Sequence, residues 1–455
     1  MSLTDDLADR ILAVRFADLP DQVVATAKVG ILDTVGVTLA GAVEPCARIA
    51  AKVAGTGSGK ALVFGTREGA APADAAFING TAAHALDFDD CMDAFGGHPS
   101  APLVPALFAL AEGRAVSGRD LIAAYVAGFE TETRIARAVH FHHYDKGWHP
   151  TATLGSFGVA AACAHLLRLS TAQTATALAI AASFSSGLKA NFGTMTKPLH
   201  VGHTARNGLI AALLAAEGFG ANHGVFEHPH GFFMVFNGAG NFDPAAVLRD
   251  WGAPFEIVGN VLSIKQYPCC GSTHPAIDAM LELRAAHGLD AAAVEHVTSL
   301  THARRLAHTD RADPRSPLDA KFSVQYCVAR ALAEGRVVLS HFEAGAYDEP
   351  DIRRLMQRVQ ATPYPGLTVA DSQTFGAELR VLTKDGRMLT QRVDNPLGRS
   401  GEHVVGAAAL EAKFRDCAAR SLRPGAVDQT LGQLTWLEKL DDVATLRAAL
   451  ASGVA

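Results

Sequence analysis

The sequence predicts a mainly α protein: a large all-helical domain built from both chain ends, plus a smaller α+β lid domain. Three observations carry this. Apolar residues recur at helical spacing through the first half of the chain. The pattern then turns to strand-like alternation with a hairpin signal. Helical spacing returns near the C-terminus. The boundaries read as 1–265 for the helical domain, completed by 398–455, with 266–397 as the α+β domain.

The elements follow in order. Thr4 caps a first helix running to Phe16, with Leu7, Ile11 and Leu12 on one face. Pro20-Asp21 opens a second, with Val24, Ala27, Ile31, Leu32 and Val35 at helical spacing and Gly41 at its end. Further helices are predicted over 74–87, 102–114, 118–140, 153–167, 171–187 and 199–217, with Ser117 and Ser170 as N-caps. Strands are predicted over 294–301, 377–383 and 387–393, the last two joined by Lys384-Asp385-Gly386. Helices over 275–287, 322–334 and 351–359 lie among them, and helix resumes over 401–422 and from 427 onward.

Bulk properties bound the function. The chain has 455 residues, of which 49% are apolar and 19% charged, enough for a large core. A net charge of −6 without a basic run argues against nucleic acid or an anionic membrane as partner. Seven cysteines, an odd number with no C-x-x-C, fit a reducing cytoplasm better than a disulfide scaffold. The acidic start Met-Ser-Leu-Thr-Asp-Asp lacks a signal-peptide pattern.

The most informative stretch is Gly193 to Gly208, which gathers Lys197, His200, His203 and Arg206 at the start of an apolar helix. A lysine there opposes the helix dipole, unless an anion binds at the same end. Histidines beside it suggest acid–base chemistry on a carboxylate. Gly55-Thr-Gly-Ser-Gly-Lys60 is not a nucleotide loop: it is one residue short, and Ala61 follows where Ser or Thr is needed. Asp87-Phe-Asp-Asp90 with Asp93 invites a cation, but Cys91 and Met92 break the calcium-loop pattern. Those carboxylates, flanked by His84 and His98, can instead orient histidines or lysines. His149 stands before Pro150, ahead of a helix. Lys265 and His274 bracket Cys269-Cys270, which read as packing residues. Tyr326 opens an apolar helix and offers a phenol, although a core tyrosine is the plainer reading.

Together these blocks resemble the MmgE/PrpD family. They are Asn79 to Asp90, Gly97 to Ser100, Trp148 to Pro150, Thr196 to His203, Lys265 to His274 and Phe322 to Tyr326, in the family's order. The resemblance implies a cofactor-free enzyme acting on a small polycarboxylate, with no bound metal, usually as a homodimer. It places the pocket at Asp87, Cys91, His98, His149, Lys197, Lys265 and Tyr326, with His203 and His274 as less certain additions. Cys91 stands where the family often has threonine, and 92–97 differ from the better-known members, which affects substrate identity.

The expected chemistry builds electron density beside a carboxylate and stabilises an enolate-like intermediate. Lys197 and Lys265 are the expected cations, His149 and His98 the acid–base pair, Asp87 a histidine-orienting carboxylate and Tyr326 a proton donor. Cys91, His203 and His274 are expected to bind substrate. Dehydration of a 2-methylcitrate-like acid is the leading expectation. cis-Aconitate decarboxylase-like and iminodisuccinate epimerase-like reactions stand behind it. A non-catalytic carboxylate-binding protein and a metalloenzyme on Asp87, Asp89, Asp90 and nearby histidines are the competing classes.

Overall fold

A computed structural model describes residues 2–57, 59–259, 262–343, 345–372, 375–399 and 404–451. Helix dominates, and the chain divides into two compact units. The first comprises Met1–Ala85, Asp89–Ile264 and Gly406–Ala455; the second comprises Leu86–Phe88 and Lys265–Val405. The tripeptide Leu86–Phe88 therefore departs from the sequence-based division, which left it in the helical part.

The first unit is a stack of helices, three of which start at serine caps. Ser2, rather than Thr4, caps Leu3–Leu12 in a reciprocal capping box with Asp5. Ser117 caps Gly118–Val139, and Ser170 forms a second capping box with Gln173 at the head of Thr171–Phe184. Helix Asp21–Gly41 is long and apolar enough to cross a membrane, but 72% of that window is buried within the fold. Its Asp33 meets Lys413 of helix Ala407–Ala418 at 2.7 Å, which ties the C-terminal segment into this unit. The start of that helix predicted at Gly401 lies outside the described residues.

Small residues decide which helices touch. Helices Pro72–Ala83 and Thr196–Ala216 meet where Gly80 faces Gly202. A β-carbon on Gly202 would collide with Thr81 Oγ1 and the Phe77 carbonyl, so the backbones approach more closely than any side chain allows. This crossing brings His84, just past one helix, near Lys197 and His200 in the first turns of the other. Pro150–Thr153 and Gly155–Leu166 replace the single helix predicted over 153–167.

The second unit is α+β. Strands Val359–Pro363, Val294–Thr301, Ala377–Thr383 and Met388–Val393 lie side by side in that order. Val294–Thr301 pairs parallel with Val359–Pro363 and antiparallel with Ala377–Thr383. The predicted hairpin forms, with Gly386 at φ 88° in the turn. Val359–Pro363 is absent from the sequence reading, because Pro363 and the polar Gln360 and Thr362 hide its alternation. Pro363 sits at the end of an edge strand, where its missing N–H costs little. Helices His274–His287 and Val324–Glu334 join the sheet in one core that includes Ile277, Met280, Val297, Val328, Leu379 and Val381.

Candidate active site

In the helical unit the site grows from the end of one helix. Pro72–Ala83 stops at His84, whose φ of −105° is no longer helical. The chain re-enters this unit at Asp89 and Asp90. Asp89 Oδ2 lies 2.7 Å from His84 Nδ1 and 3.2 Å from His98 Nδ1. His98 Nδ1 also lies 2.6 Å from the Asp90 carbonyl, and the His98 amide donates to Thr151 Oγ1 at 3.0 Å. Asp90 turns the other way. Its carboxylate accepts from the amide and hydroxyl of Ser100, at the head of helix Ser100–Ala111.

His149 precedes Pro150, as the sequence implies, and its amide donates to the Gly187 carbonyl at 3.0 Å. Its Nδ1 lies 3.2 Å from His200 Nδ1, and its ring meets Phe192 edge-on at 4.9 Å. The His84 ring lies 4.5 Å from that of His98 and 5.8 Å from that of His149. Lys197 is buried in the first turn of Thr196–Ala216, with its Nζ 5.2 Å from the centre of the Phe192 ring. Lys197 and His200 are three residues apart, so they share a helix face.

The electrostatics follow from burial and crowding. Burial lowers His84 to about 4, with Lys197 and His98 pushing the same way against the pull of Asp89. Burial, then His84, Lys197, His200 and His98, hold His149 well below the ordinary imidazole range. Burial, His203 and Lys197 lower His200 to about 4. Burial would raise Asp89, but His84 and His98 outweigh it and keep the carboxyl well below its usual range. The cluster thus sets a buried carboxylate beside His84, His149 and His200, whose rings stay neutral until an anion arrives to favour their charged form.

The second unit holds the other predicted residues. Asp87 adopts a φ of 52°, a left-handed conformation that aspartate tolerates better than most residues. Lys265 Nζ donates to the Asp87 carbonyl at 2.7 Å and lies 3.2 Å from its Oδ2. Lys321 Nζ donates to the carbonyls of Leu86 at 2.6 Å and Pro268 at 2.9 Å. Two buried ammonium groups therefore grip the Leu86–Phe88 tripeptide.

Comparison with known proteins gives the same picture. The MmgE/PrpD N-terminal domain matches residues 5–245 and the MmgE/PrpD C-terminal domain residues 267–434. The chain belongs to the MmgE/PrpD family. It is 30% identical to a cis-aconitate decarboxylase of Homo sapiens, over 99% of this chain and 94% of that protein. A cis-aconitate decarboxylase of Aspergillus terreus is 27% identical over 94% of this chain and 92% of its own length. A 2-methylcitrate dehydratase of Cupriavidus necator is 27% identical over 80% of this chain and 78% of its own length. The chain is an enzyme, an MmgE/PrpD-type lyase.

Among the predicted site residues of this MmgE/PrpD lyase, His98, His149 and Lys197 converge in the helical unit. His203 sits on the same helix as Lys197, with its Nε2 2.8 Å from Asn207 Nδ2. Cys91 exchanges backbone hydrogen bonds with Ser263 at 2.9 and 2.8 Å. Within the second unit, Asp87 and Lys265 pair. His274 donates through Nε2 to the Cys269 carbonyl at 3.2 Å and meets Tyr267 edge-on. Tyr326 is buried in the core of the second unit. Its hydroxyl donates to the His341 carbonyl and accepts from Arg330 Nε, and burial pushes its pKa up to about 12. It is the hydrogen-bonded core tyrosine that the plainer reading described.

The sequence reading assigned no role to His84, Asp89, His200 or Lys321 individually. His84, Asp89 and His200 lie inside the family blocks and Lys321 directly precedes one; the spacing of His200 from Lys197 was the available signal. His84, Asp89 and His98 each offer one ligand atom within 4.8 Å of the others. Two of the separations, at 2.7 and 3.2 Å, join imidazole Nδ1 to an ionised carboxylate oxygen. They are hydrogen bonds that require a proton on each Nδ1, where a metal would need a lone pair.

Proposed function

We propose that this chain is a cofactor-independent lyase that acts on a small di- or tricarboxylate through an enolate-like intermediate, with decarboxylation of a cis-aconitate-like acid as the leading reaction. The supporting observation is the buried cluster of His84, His98, His149 and His200 with Lys197 around the Asp89 carboxylate. Burial and neighbouring positive charge keep the His84, His149 and His200 rings neutral, and a substrate carboxylate both meets a favourable field there and raises their affinity for a proton. In decarboxylation, the bond from carbon to a carboxylate breaks. Its electron pair stays on the substrate beside a second carboxylate, CO₂ leaves and an acid returns one proton to carbon. Lys197 would hold a carboxylate in the helical unit, and His149 would supply the proton after the substrate's charge has raised its pKa, with His98 as its counterpart.

Dehydration of a 2-methylcitrate-like acid, foremost on motifs alone, becomes the second reading. The human decarboxylase aligns with 99% of the chain, the bacterial dehydratase with 80%. Epimerisation would use the same groups to move a proton between faces. The proposal includes a lid role for the α+β part, a homodimer and a reducing, cytoplasmic setting.

The test is proton NMR in D₂O, with chelator, of the purified protein against cis-aconitate, 2-methylcitrate, citrate and iminodisuccinate. Loss of CO₂ from cis-aconitate is the expected result. Loss of water from 2-methylcitrate moves the assignment to the second reading. Inversion or exchange without loss marks an epimerase. Saturable binding without any turnover or exchange would point to a carboxylate-binding protein and overturn the lyase reading.

A further inference from the structure

We propose that Asp89 is a positioning residue that locks His84 and His98 in the Nδ1–H tautomer, and that His84 thereby presents its Nε2 as a further acid–base atom of the site. The catalytic half of this inference rests on the lyase reading above; the tautomer half does not.

The argument begins with one oxygen. Asp89 Oδ2 is shared by His84 Nδ1 at 2.7 Å and His98 Nδ1 at 3.2 Å. An ionised carboxylate only accepts hydrogen bonds, so each Nδ1 carries its proton. His98 gives the same answer independently. Its Nδ1 also faces the Asp90 carbonyl at 2.6 Å, another group that only accepts. A neutral imidazole protonated at Nδ1 has its lone pair at Nε2.

His84 Nε2 is fully buried and makes no hydrogen bond among the described residues. A buried acceptor left without a partner is costly, and such atoms in native folds call for an explanation. The ring lies between those of His98, at 4.5 Å, and His149, at 5.8 Å. His149 Nε2 is likewise buried without a hydrogen bond among the described residues. Two desolvated imidazole nitrogens in adjacent rings fit a substrate carboxylate that binds together with proton uptake. Asp89 is itself 0% exposed, so its position is set by packing and reaches substrate only through the two rings it orients.

The first test uses the free enzyme labelled with ¹⁵N-histidine. With the His84 and His98 signals assigned through the single Asn variants, two-bond ¹H–¹⁵N spectra should show both rings carrying a proton on Nδ1. Asp89→Asn should convert one of them to the Nε2–H form, because the new amide donates where the carboxylate accepted. Wild-type spectra with both protons on Nε2 would overturn the proposal. So would a stoichiometric metal whose removal alters these signals, since a metal on Nδ1 excludes the proton. Neither readout needs turnover, so the tautomer claim stands or falls apart from the reaction assignment.

The second test reads activity. Asp89→Asn should lower kcat on the order of 10²–10⁴-fold with KM little changed, as expected for a base held in the wrong tautomer. His84→Asn keeps a donor near the Nδ1 position, and so the bond to Asp89, while deleting Nε2. A kcat loss on the order of 10²-fold or more, with the other His98 signals intact, supports the role of His84. Unchanged kcat in a folded His84→Asn enzyme would overturn that role. Unchanged kcat and pH profile in Asp89→Asn would overturn the positioning role.

Discussion

Binding of a polycarboxylate should draw protons into the histidine cluster. His84 and His200 sit at about 4 in the free enzyme because burial and nearby positive charge disfavour the imidazolium. At about pH 7 each is therefore charged in only about 0.1% of molecules. A substrate carboxylate about 4 Å from an imidazole, at an effective dielectric of about 20, favours the charged ring by about 4 kcal/mol. At 1.36 kcal/mol per unit, that is a shift of ~3 pKa units. The bound pKa then approaches about 7, and each such ring takes up about half a proton at about pH 7. The sign follows: the bound pKa lies above the free one, so affinity is greatest in acid and weakens as pH rises through the bound value. Lys197 holds both free values down, with His98 acting on His84 and His203, backed by Arg206, acting on His200, whereas Asp89 raises His84. Calorimetric titration with tricarballylate, a non-reacting tricarboxylate, in phosphate and in Tris at matched pH reads this uptake. The heats should differ between buffers, and Kd should rise from about pH 6 to about pH 8. Identical heats in the two buffers, with Kd flat across that range, would refute the electrostatic account of the cluster.

Two further outcomes concern the scaffold that positions the cluster. Lys413→Met leaves the buried Asp33 carboxylate without its 2.7 Å partner and should cost about 3–5 kcal/mol in denaturant unfolding, with most of the loss recovered in the Asp33→Asn/Lys413→Met double variant. Gly202→Ala forces apart the helices that bring His84 to Lys197 and His200. It should cost about 1–3 kcal/mol and lower kcat/KM, while Gly425→Ala, facing open space in helix Pro424–Thr435, should be neutral or stabilising.

Much of this was legible in the chain itself. Local chemistry writes itself into sequence: Ser117 and Ser170 cap where expected, Lys384-Asp385-Gly386 makes its turn, and strands form over 294–301 and 377–383. The family blocks likewise contain Lys197, His98 and His149, which the fold brings near one another. Spacing could not show which carboxylate serves which base. Asp87 and Asp89 are two residues apart, yet the left-handed turn at Asp87 sets them in different units, one beside Lys265 and the other beside His84 and His98. Tyr326 shows the same limit: only the fold reveals that its phenol bonds the His341 carbonyl and Arg330. Residue types determine which chemistry is available to this chain. Tertiary contacts alone decide tautomer, protonation and partner, because those depend on burial and on charges a few ångströms away that are distant in sequence.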